Sequence, residues 1–349
     1  MKTYSSTGHP YRLGQPIGQG GEATIYELAD YHDLLAKIYL RDRPGYDQKL
    51  TWMRDHPPDD PTRDLNHASI AWPLDLLFDE KGKFIGYLMP YIEEAASLLT
   101  VFNPRLRARE LPEFDTAYLY HTARNLAVAL QAVHEREYVV GDLNESNVMV
   151  TPSTLVTMID TDSFQVRAHL HGGRTRLFPC LVGKPEYTPP ELQKVPLDRV
   201  ERLPEHDYFG LGVLIFQLLM DGSHPFRARW GGTVQQPPIE ERIQRGWFPY
   251  VELRGVPLSP PTNALPLESL HPAVTDLVYR CFVDGHATPS LRPSPLEWED
   301  ALVEAESMLG ECDNGHVFSV HLRECPFCER EAYIEFLESR PPPPPPPKG

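Results

Sequence analysis

Three polar residues at the ends of two apolar runs carry the first chemical signal. In "VVGDLNESNVMV" (139–150) Asp142 and Asn147 stand five positions apart, and "VTMIDTDSF" (156–164) places Asp160 thirteen residues further on. Two carboxylates and an amide are oxygen donors of the kind that hard cations such as Mg²⁺ take. Asp and Asn after strands also serve as plain turn and cap residues, so the meaning of the trio depends on what else the chain supplies.

"IGQGGEATIYEL" (17–28) sets Gly18, Gly20 and Gly21 between two β-like segments. Glycines there let backbone N–H groups approach phosphate oxygens with no side chain in the way, although such a hairpin alone also reads as a simple turn. Twelve residues after Ile25, "LLAKIYL" puts Lys37 in an apolar strand, where a lysine is costly without an anionic partner. The pair says more than either part.

A second cluster lies near the C-terminus. "CDNGHVFSVHLRECPFC" gives Cys312-x₃-His316-x₈-Cys325-x₂-Cys328, and three thiolates with an imidazole suit a closed, tetrahedral, structural zinc site. His321 competes with His316 as the fourth ligand, though it lies in an alternating, strand-like run. A Cys-x-x-Cys redox pair would leave the other two ligands unexplained.

The elements that must hold these residues follow from the periodicity. Short β-like runs at 11–21, 23–28, 34–40, 74–79 and 84–92 predict a small twisted sheet, interrupted by one helix at 46–53 and a Pro-rich stretch at 55–64. From 114 the pattern becomes helical, with Asp115 as N-cap of a helix reaching 135. A short strand pair around Asp142 and Asp160 follows, and helices resume near 207, 271 and 294. The fold class is α+β. A cysteine-bearing unit occupies 310–332, and seven prolines at 341–347 form an extended linker.

Composition narrows the partners. The 349 residues are 41% hydrophobic, enough for a substantial core, and 33 Lys and Arg against 49 Asp and Glu give a net charge of −16. That balance argues against a broad basic face for nucleic acid, so any bound phosphate needs local donors. The longest apolar run, 209–220, is too short to span a bilayer, and the start lacks the apolar stretch of a signal peptide. The chain is expected in the cytoplasm. Five cysteines, two of them (Cys180 and Cys281) apart in the main body, make no disulfide framework.

Taken in order, these motifs resemble the protein kinase superfamily from about residue 11 to residue 305. Gly18, Gly20, Ala23 and Ile25 fall on G-x-G-x-x-G-x-V, with alanine at the third glycine. "VGDLNESN" falls on H-R-D-L-x-x-x-N and "IDTD" on the D-F-G position. "GKPEYTPPE" (183–191) matches G-T-P-E-Y-x-A-P-E, while "DYFGLGVLIFQLL" from Asp207 and "GSHPF" match the helix anchoring the large lobe. Arg292 in "SLRPS" falls on the arginine that pairs with the glutamate at Glu191.

The resemblance implies a two-lobed fold, with a small β-rich lobe (1–92), a helical lobe (93–308), a zinc-ribbon-like unit (309–332), and a helix end with a Pro-rich tail (333–349). It implies an ATP-dependent Ser/Thr protein kinase. The glycine loop, with Ala23, Ile25 and Ala36, would enclose ATP, and Lys37 would hold its α and β phosphates. Met89, Pro90 and Ile92 would form the adenine hinge, Pro90 through its carbonyl and Ile92 through its N–H. Asn147 and Asp160 would carry Mg²⁺ or Mn²⁺, and Asp142 would accept the proton of a substrate hydroxyl. With its trailing ribbon the chain resembles bacterial kinases of tellurite-resistance-type triads, which implies a von Willebrand-A protein and a metal-dependent protein phosphatase as partners. Ser163, Thr175 and Thr188 are candidate autophosphorylation sites.

Several positions depart from the pattern. H-R-D becomes Val140-Gly141-Asp142, which removes the arginine that would receive a phosphate from the activation segment. D-F-G becomes Asp160-Thr161-Asp162, where Asp162 is read as a capping acid or one that supports the metal residue. No Glu occurs between Glu27 and Glu80 to pair with Lys37. Asp47 or Gln48 is the nearest substitute on the helix, and Asp162 is another. The usual lysine two residues after the catalytic aspartate is Asn144, while Lys184 replaces the threonine it would touch, as if the cation had crossed the cleft. The missing glutamate and the loss of D-F-G favour the alternative of a nucleotide-binding pseudokinase that docks partners through ribbon and tail.

Overall fold

The computed structural model of the chain describes residues 2–170, 173–233 and 235–339; the proline run at 341–347 lies outside them. Strands β1 (Lys2–Ser5), β2 (Pro10–Gln19), β3 (Ala23–Leu28), β4 (Tyr31–Tyr39), β5 (Asp75–Phe78) and β6 (Phe84–Pro90) form a closed barrel in the order β1-β2-β3-β4-β6-β5. Five of these strands match the apolar runs. The sixth, β1, was not expected; it pairs Tyr4 with Phe78 and Ser5 with Leu77, which covers the edge an open sheet would expose.

Strand alternation sorts β4. Leu35 belongs to the main core and Lys37 faces the same way, whereas Ala36 and Ile38 point into a separate barrel core with Leu28, Leu77 and Leu88. Gly86 in β6 lets that strand approach: a Cβ there would fall 2.0 Å from the Lys37 carbonyl oxygen. Helix α1 (Tyr46–Asp55) follows β4 and buries Lys49, Leu50 and Met53.

The remaining chain is mostly helical. After β7 (Ala96–Ser97) come α2 (Leu98–Phe102), α3 (Pro104–Glu110) and α4 (Thr116–Glu135), the last capped by Asp115, whose carboxylate accepts the Tyr118 N–H at 3.2 Å. Strands β8 (Val148–Val150) and β9 (Val156–Met158) join β7 in a small sheet. A hairpin of β10 (Val166–Leu170) and β11 (Arg174–Phe178) comes next, and nothing in its largely polar sequence announced it. Arg176 of this hairpin donates to Gln48 Oε1 of α1 at 2.8 Å, and the His169 ring packs edge-on to Trp52, 5.6 Å between centroids.

Helix α5 (Pro204–Leu219) is buried nearly all round, as the continuous apolar run after its polar first turn requires. Short strands β12 (Arg229–Trp230) and β13 (Leu258–Ser259) flank α6 (Ile239–Gln244), and α7 (Pro272–Tyr279), α8 (Gly285–Ala287) and α9 (Pro295–Ser307) complete the packing. Helix α9 opens on a reciprocal cap: Ser294 Oγ accepts the Glu297 N–H, and Glu297 Oε2 accepts the Ser294 N–H at 2.8 Å. The C-terminal unit is a hairpin, β14 (Leu309–Glu311) and β15 (Val317–Ser319), followed by α10 (Pro326–Glu338). Arg330 of α10 and Arg107 of α3 share Asp221, at 2.6 and 3.3 Å, which ties the unit to the main body. Among the described residues no helix is long and apolar enough to cross a membrane.

Candidate active site

A cleft of about 690 Å³ opens under the β2–β3 hairpin. Gly18, Gly20, Gly21, Ala23 and Ile25 form its roof, Lys37 one wall, and Met89, Pro90 and Ile92 its inner edge; Asp142, Asn147 and Asp160 face them from the helical side. The hairpin and Lys37 stand more than a hundred positions from Asp142 in the sequence, and the fold gathers all these groups in one place. Ala36 is a correction: it is fully buried in the barrel core, because adjacent residues of a strand point to opposite faces. Leu35 lines the cleft in its stead.

The hairpin glycines answer no packing demand. A Cβ on Gly21 would meet nothing within 4 Å, and one on Gly18 or Gly20 would make only ordinary contacts near 3.9 Å. What glycine provides here is open backbone facing the cleft. At the inner edge the Tyr91 N–H donates to the Asp33 carbonyl at 2.9 Å.

Lys37 is 8% exposed and meets two carboxylates: it donates to Asp160 Oδ1 and, at 2.5 Å, to Asp162 Oδ1. Asp162 also accepts from the hydroxyls of Tyr39 at 2.7 Å and Tyr87 at 2.9 Å. Burial alone would raise the Asp162 carboxyl; the Lys37 charge and these hydrogen bonds outweigh it and hold the group below the usual aspartate value. Burial likewise opposes the Lys37 charge, and Asp162 and Asp160 more than restore it. Asp162 is thus the anion that the missing helix glutamate would have supplied. Gln48 bonds Arg176 instead, and α1 contributes a cation: Lys49, 1% exposed, donates to the Asp162 carbonyl at 2.6 Å, with burial lowering its pKa to about 8. The two acids differ in access, since the Asp160 side chain is 41% exposed and the Asp162 side chain 7%.

Asp142 sits at the centre of a second network. Asn144 Nδ2 donates to its carbonyl and to Oδ1, both at 2.9 Å, Asn147 Nδ2 to its carbonyl at 3.0 Å, and the Lys184 backbone N–H to Oδ1 at 3.1 Å. Burial raises the Asp142 pKa above the usual value despite these donors. The Lys184 ammonium points elsewhere, to Glu145 Oε1 at 2.9 Å and Ser146 Oγ at 2.5 Å.

Asp207 and the Glu191–Arg292 pair, both singled out in the sequence, are buried or partly buried nearby. Asp207, 2% exposed, accepts the N–H groups of Val140 and Gly141, each at 2.8 Å. Glu191 and Arg292 form a two-pronged pair, 2.7 Å at each prong. Gly141 has φ +74°, and a Cβ would lie 2.7 Å from Cys180 Cβ, so the exchange of arginine for glycine is enforced by space. Arg202 fills the neighbourhood, 2% exposed, donating to the Val182 carbonyl at 3.1 Å. Sequence reading passed over Arg202, Tyr39, Tyr87 and Lys49, each a polar residue in an otherwise apolar or irregular stretch.

At the other end, the Cys312, His316, Cys325 and Cys328 ligand atoms lie within 4.8 Å of one another. Cys312 Sγ and Cys328 Sγ are 3.7 Å apart, and His316 Nδ1 is 3.3 Å from Cys328 Sγ and 3.8 Å from Cys325 Sγ. A tetrahedral zinc with sulfur at about 2.3 Å spaces its ligand atoms by about 3.5–3.8 Å, so the set fits zinc. Gly315 at φ +81° turns the β14–β15 loop back, and the His316 Nε2 faces Glu331 at 3.3 Å. His321 is committed elsewhere, to Ser319 Oγ and the Glu268 carbonyl.

No protein-family model matches the chain. Compared with known proteins, it is 33% identical over 351 residues to Protein kinase YegI of Escherichia coli (strain K12), a match taking in 97% of this chain and 52% of that protein. The same-named protein of Escherichia coli O157:H7 is 33% identical over 348 residues, covering 96% and 51%. Meiosis-specific serine/threonine-protein kinase mek1 of Schizosaccharomyces pombe is 27% identical over 172 residues, 47% of this chain and 36% of that protein. The chain spans about half the length of the bacterial relatives it matches.

Proposed function

This chain belongs to the protein kinase superfamily, and on that premise we propose that it transfers the γ-phosphate of ATP to serine or threonine hydroxyls of a partner protein and of itself. The observation that carries the proposal is the convergence of Asp142, Asn147 and Asp160 on one cleft with Lys37 and the open glycine hairpin. In this reading residues 1–92 are the small lobe and 93–308 the large one, with the zinc-bearing unit at 309–332 and the tail at 333–349.

Phosphoryl transfer asks a protein chiefly to position groups and stabilise charge. The hairpin N–H groups and Lys37 hold the triphosphate, and the hinge at Met89–Ile92 takes the adenine. Asn147, whose amide nitrogen donates to the Asp142 carbonyl, and the accessible Asp160 would hold Mg²⁺ or Mn²⁺ through their side-chain oxygens, and the ion would supply charge neutralisation at the phosphates. Asp142, oriented by Asn144 and the Lys184 N–H, receives the proton of the substrate hydroxyl. Lys184 reaches the γ-phosphate by exchanging its half-exposed Glu145 contact. Zinc at Cys312, His316, Cys325 and Cys328 supplies structure to the C-terminal unit.

The scaffold alternative draws on the missing helix glutamate and the altered D-F-G; the Lys37–Asp162 pair supports the kinase reading against the first of these. A cytoplasmic setting with a von Willebrand-A protein and a protein phosphatase as partners follows from the narrower family resemblance and forms part of the proposal. The test is transfer of labelled γ-phosphate from ATP·Mg²⁺ to the chain and to a generic protein substrate. Transfer that disappears in Asp142→Ala supports the proposal; absence of transfer in the wild-type chain with ATP still bound contradicts it.

A further inference from the structure

The roles above leave one cation of the cleft unused. Arg43, in the loop between β4 and α1, lines the cleft at its glycine-hairpin end together with Gly20, Gly21, Glu22, Lys37 and Tyr46. Its guanidinium lies over the rings of Tyr39 and Tyr46, 5.8 and 5.3 Å from their centroids, and forms an ion pair with Glu22. Stacking on two aromatic faces restricts where the fork can swing. Glu22 belongs to the hairpin tip, between Gly21 and Ala23, and its side chain is 65% exposed against 20% for Arg43. An ion pair whose acid is that open to water is weak and readily exchanged.

The other nearby cations are committed. Lys37 answers Asp160 and Asp162, the Lys49 ammonium is buried on the Asp162 carbonyl, and Lys184, resting on Glu145 and Ser146, already has the γ-phosphate as its role. A triphosphate spreads its charge over three phosphates, and Lys37, a divalent cation and Lys184 leave oxygens of the β and γ groups for a further donor. A planar guanidinium matches two oxygens of a phosphate as well as it matches a carboxylate.

We propose that Arg43 is a ligand of the β- or γ-phosphate of the nucleotide, and that Glu22 holds its guanidinium over the cleft until a phosphate displaces the carboxylate. The inference rests on the reading of the cleft as an ATP site. Glu22 occupies the position on Arg43 that a phosphate would take, and Tyr39 and Tyr46 present the fork in advance of binding.

The experiment is calorimetric titration of the whole chain with ATP·Mg²⁺ and with adenosine, for wild type, Arg43→Ala and Glu22→Gln. Loss of a charge-assisted phosphate contact weakens ATP binding about tenfold or more. Arg43→Ala is expected to show that loss with adenosine affinity unchanged, which also reports an intact fold, and Glu22→Gln to bind ATP as tightly as wild type or tighter. Equal weakening of ATP and adenosine in Arg43→Ala, or no weakening, would overturn the proposal. So would a Glu22→Gln chain that loses as much ATP affinity as Arg43→Ala, because the pair would then be a latch closing the hairpin. A wild-type chain that fails to bind ATP would sink the functional reading itself, whereas wild-type binding without a phosphate-specific effect of Arg43 sinks only this inference.

Discussion

At the scale of the residue, the account turns on which acid holds Lys37. Asp162 and Lys37 are 5% and 8% exposed, and removing one partner of a buried pair typically costs about 3–5 kcal/mol because the other charge is stranded. Asp162→Ala is therefore expected to lower stability by about 3 kcal/mol in urea denaturation and to reduce phosphoryl transfer, while Asp47→Ala and Gln48→Ala leave transfer within about twofold. The reverse ranking would return the role to α1. Asp142 supplies a second residue-level expectation. Its pKa is raised by burial, and a base works only when deprotonated, so activity falls as pH drops through that raised value. The acid limb of kcat/KM should lie above the ordinary aspartate value of about 3.9; a limb at or below it would remove Asp142 from the role of base.

At the scale of the element, the glycine hairpin, the Lys37 strand and the α4 cap were legible because each depends on local pattern: turn residues, strand alternation, an acid before an apolar period. The Asp162 pairing was only one of several options in the sequence, since it closes across 125 positions between elements with no shared periodicity. Ala36 was misassigned for want of the strand's facing, which the barrel core settles. The β10–β11 hairpin stayed hidden because its alternation is mostly polar; in the fold it docks on α1 through Arg176 and His169. That hairpin also ranks the hydroxyls. Thr175 is exposed on β11, whereas Thr188 is 8% exposed and donates to the Lys184 carbonyl at 2.8 Å. Phosphopeptide mapping after incubation with ATP is expected to find Thr175 modified ahead of Thr188. Because Gly141 leaves no arginine to read a phosphate, Thr175→Ala should retain transfer within about twofold; a phosphate found first on Thr188 would contradict this ordering.

At the scale of the whole molecule, the C-terminal unit is joined to the main body through Asp221, which takes Arg107 on one side and Arg330 on the other. Small metal-bearing units draw much of their folding free energy from the metal. Elemental analysis is expected to find one zinc per chain, lost in Cys325→Ser; chelation should lower the melting temperature and expose α10 to protease while the cleft still binds ATP. A chain without zinc, or one indifferent to chelator, would contradict the metal assignment. The cysteine spacing made this site legible from sequence, but the shared Asp221 tie was not, because it joins three separate segments.

The central claim is that Asp142, Asn147 and Asp160 form a working phosphoryl-transfer centre. The most direct measurement is single-turnover transfer of labelled γ-phosphate from ATP·Mg²⁺, read beside ATP affinity, in wild type and Asp142→Ala. Transfer is expected from the wild-type chain, and in the variant near-unchanged ATP binding with transfer reduced about 10²-fold or more, the range expected for loss of a general base. Transfer that survives the substitution, or a wild-type chain that binds ATP and passes phosphate to nothing, would contradict it.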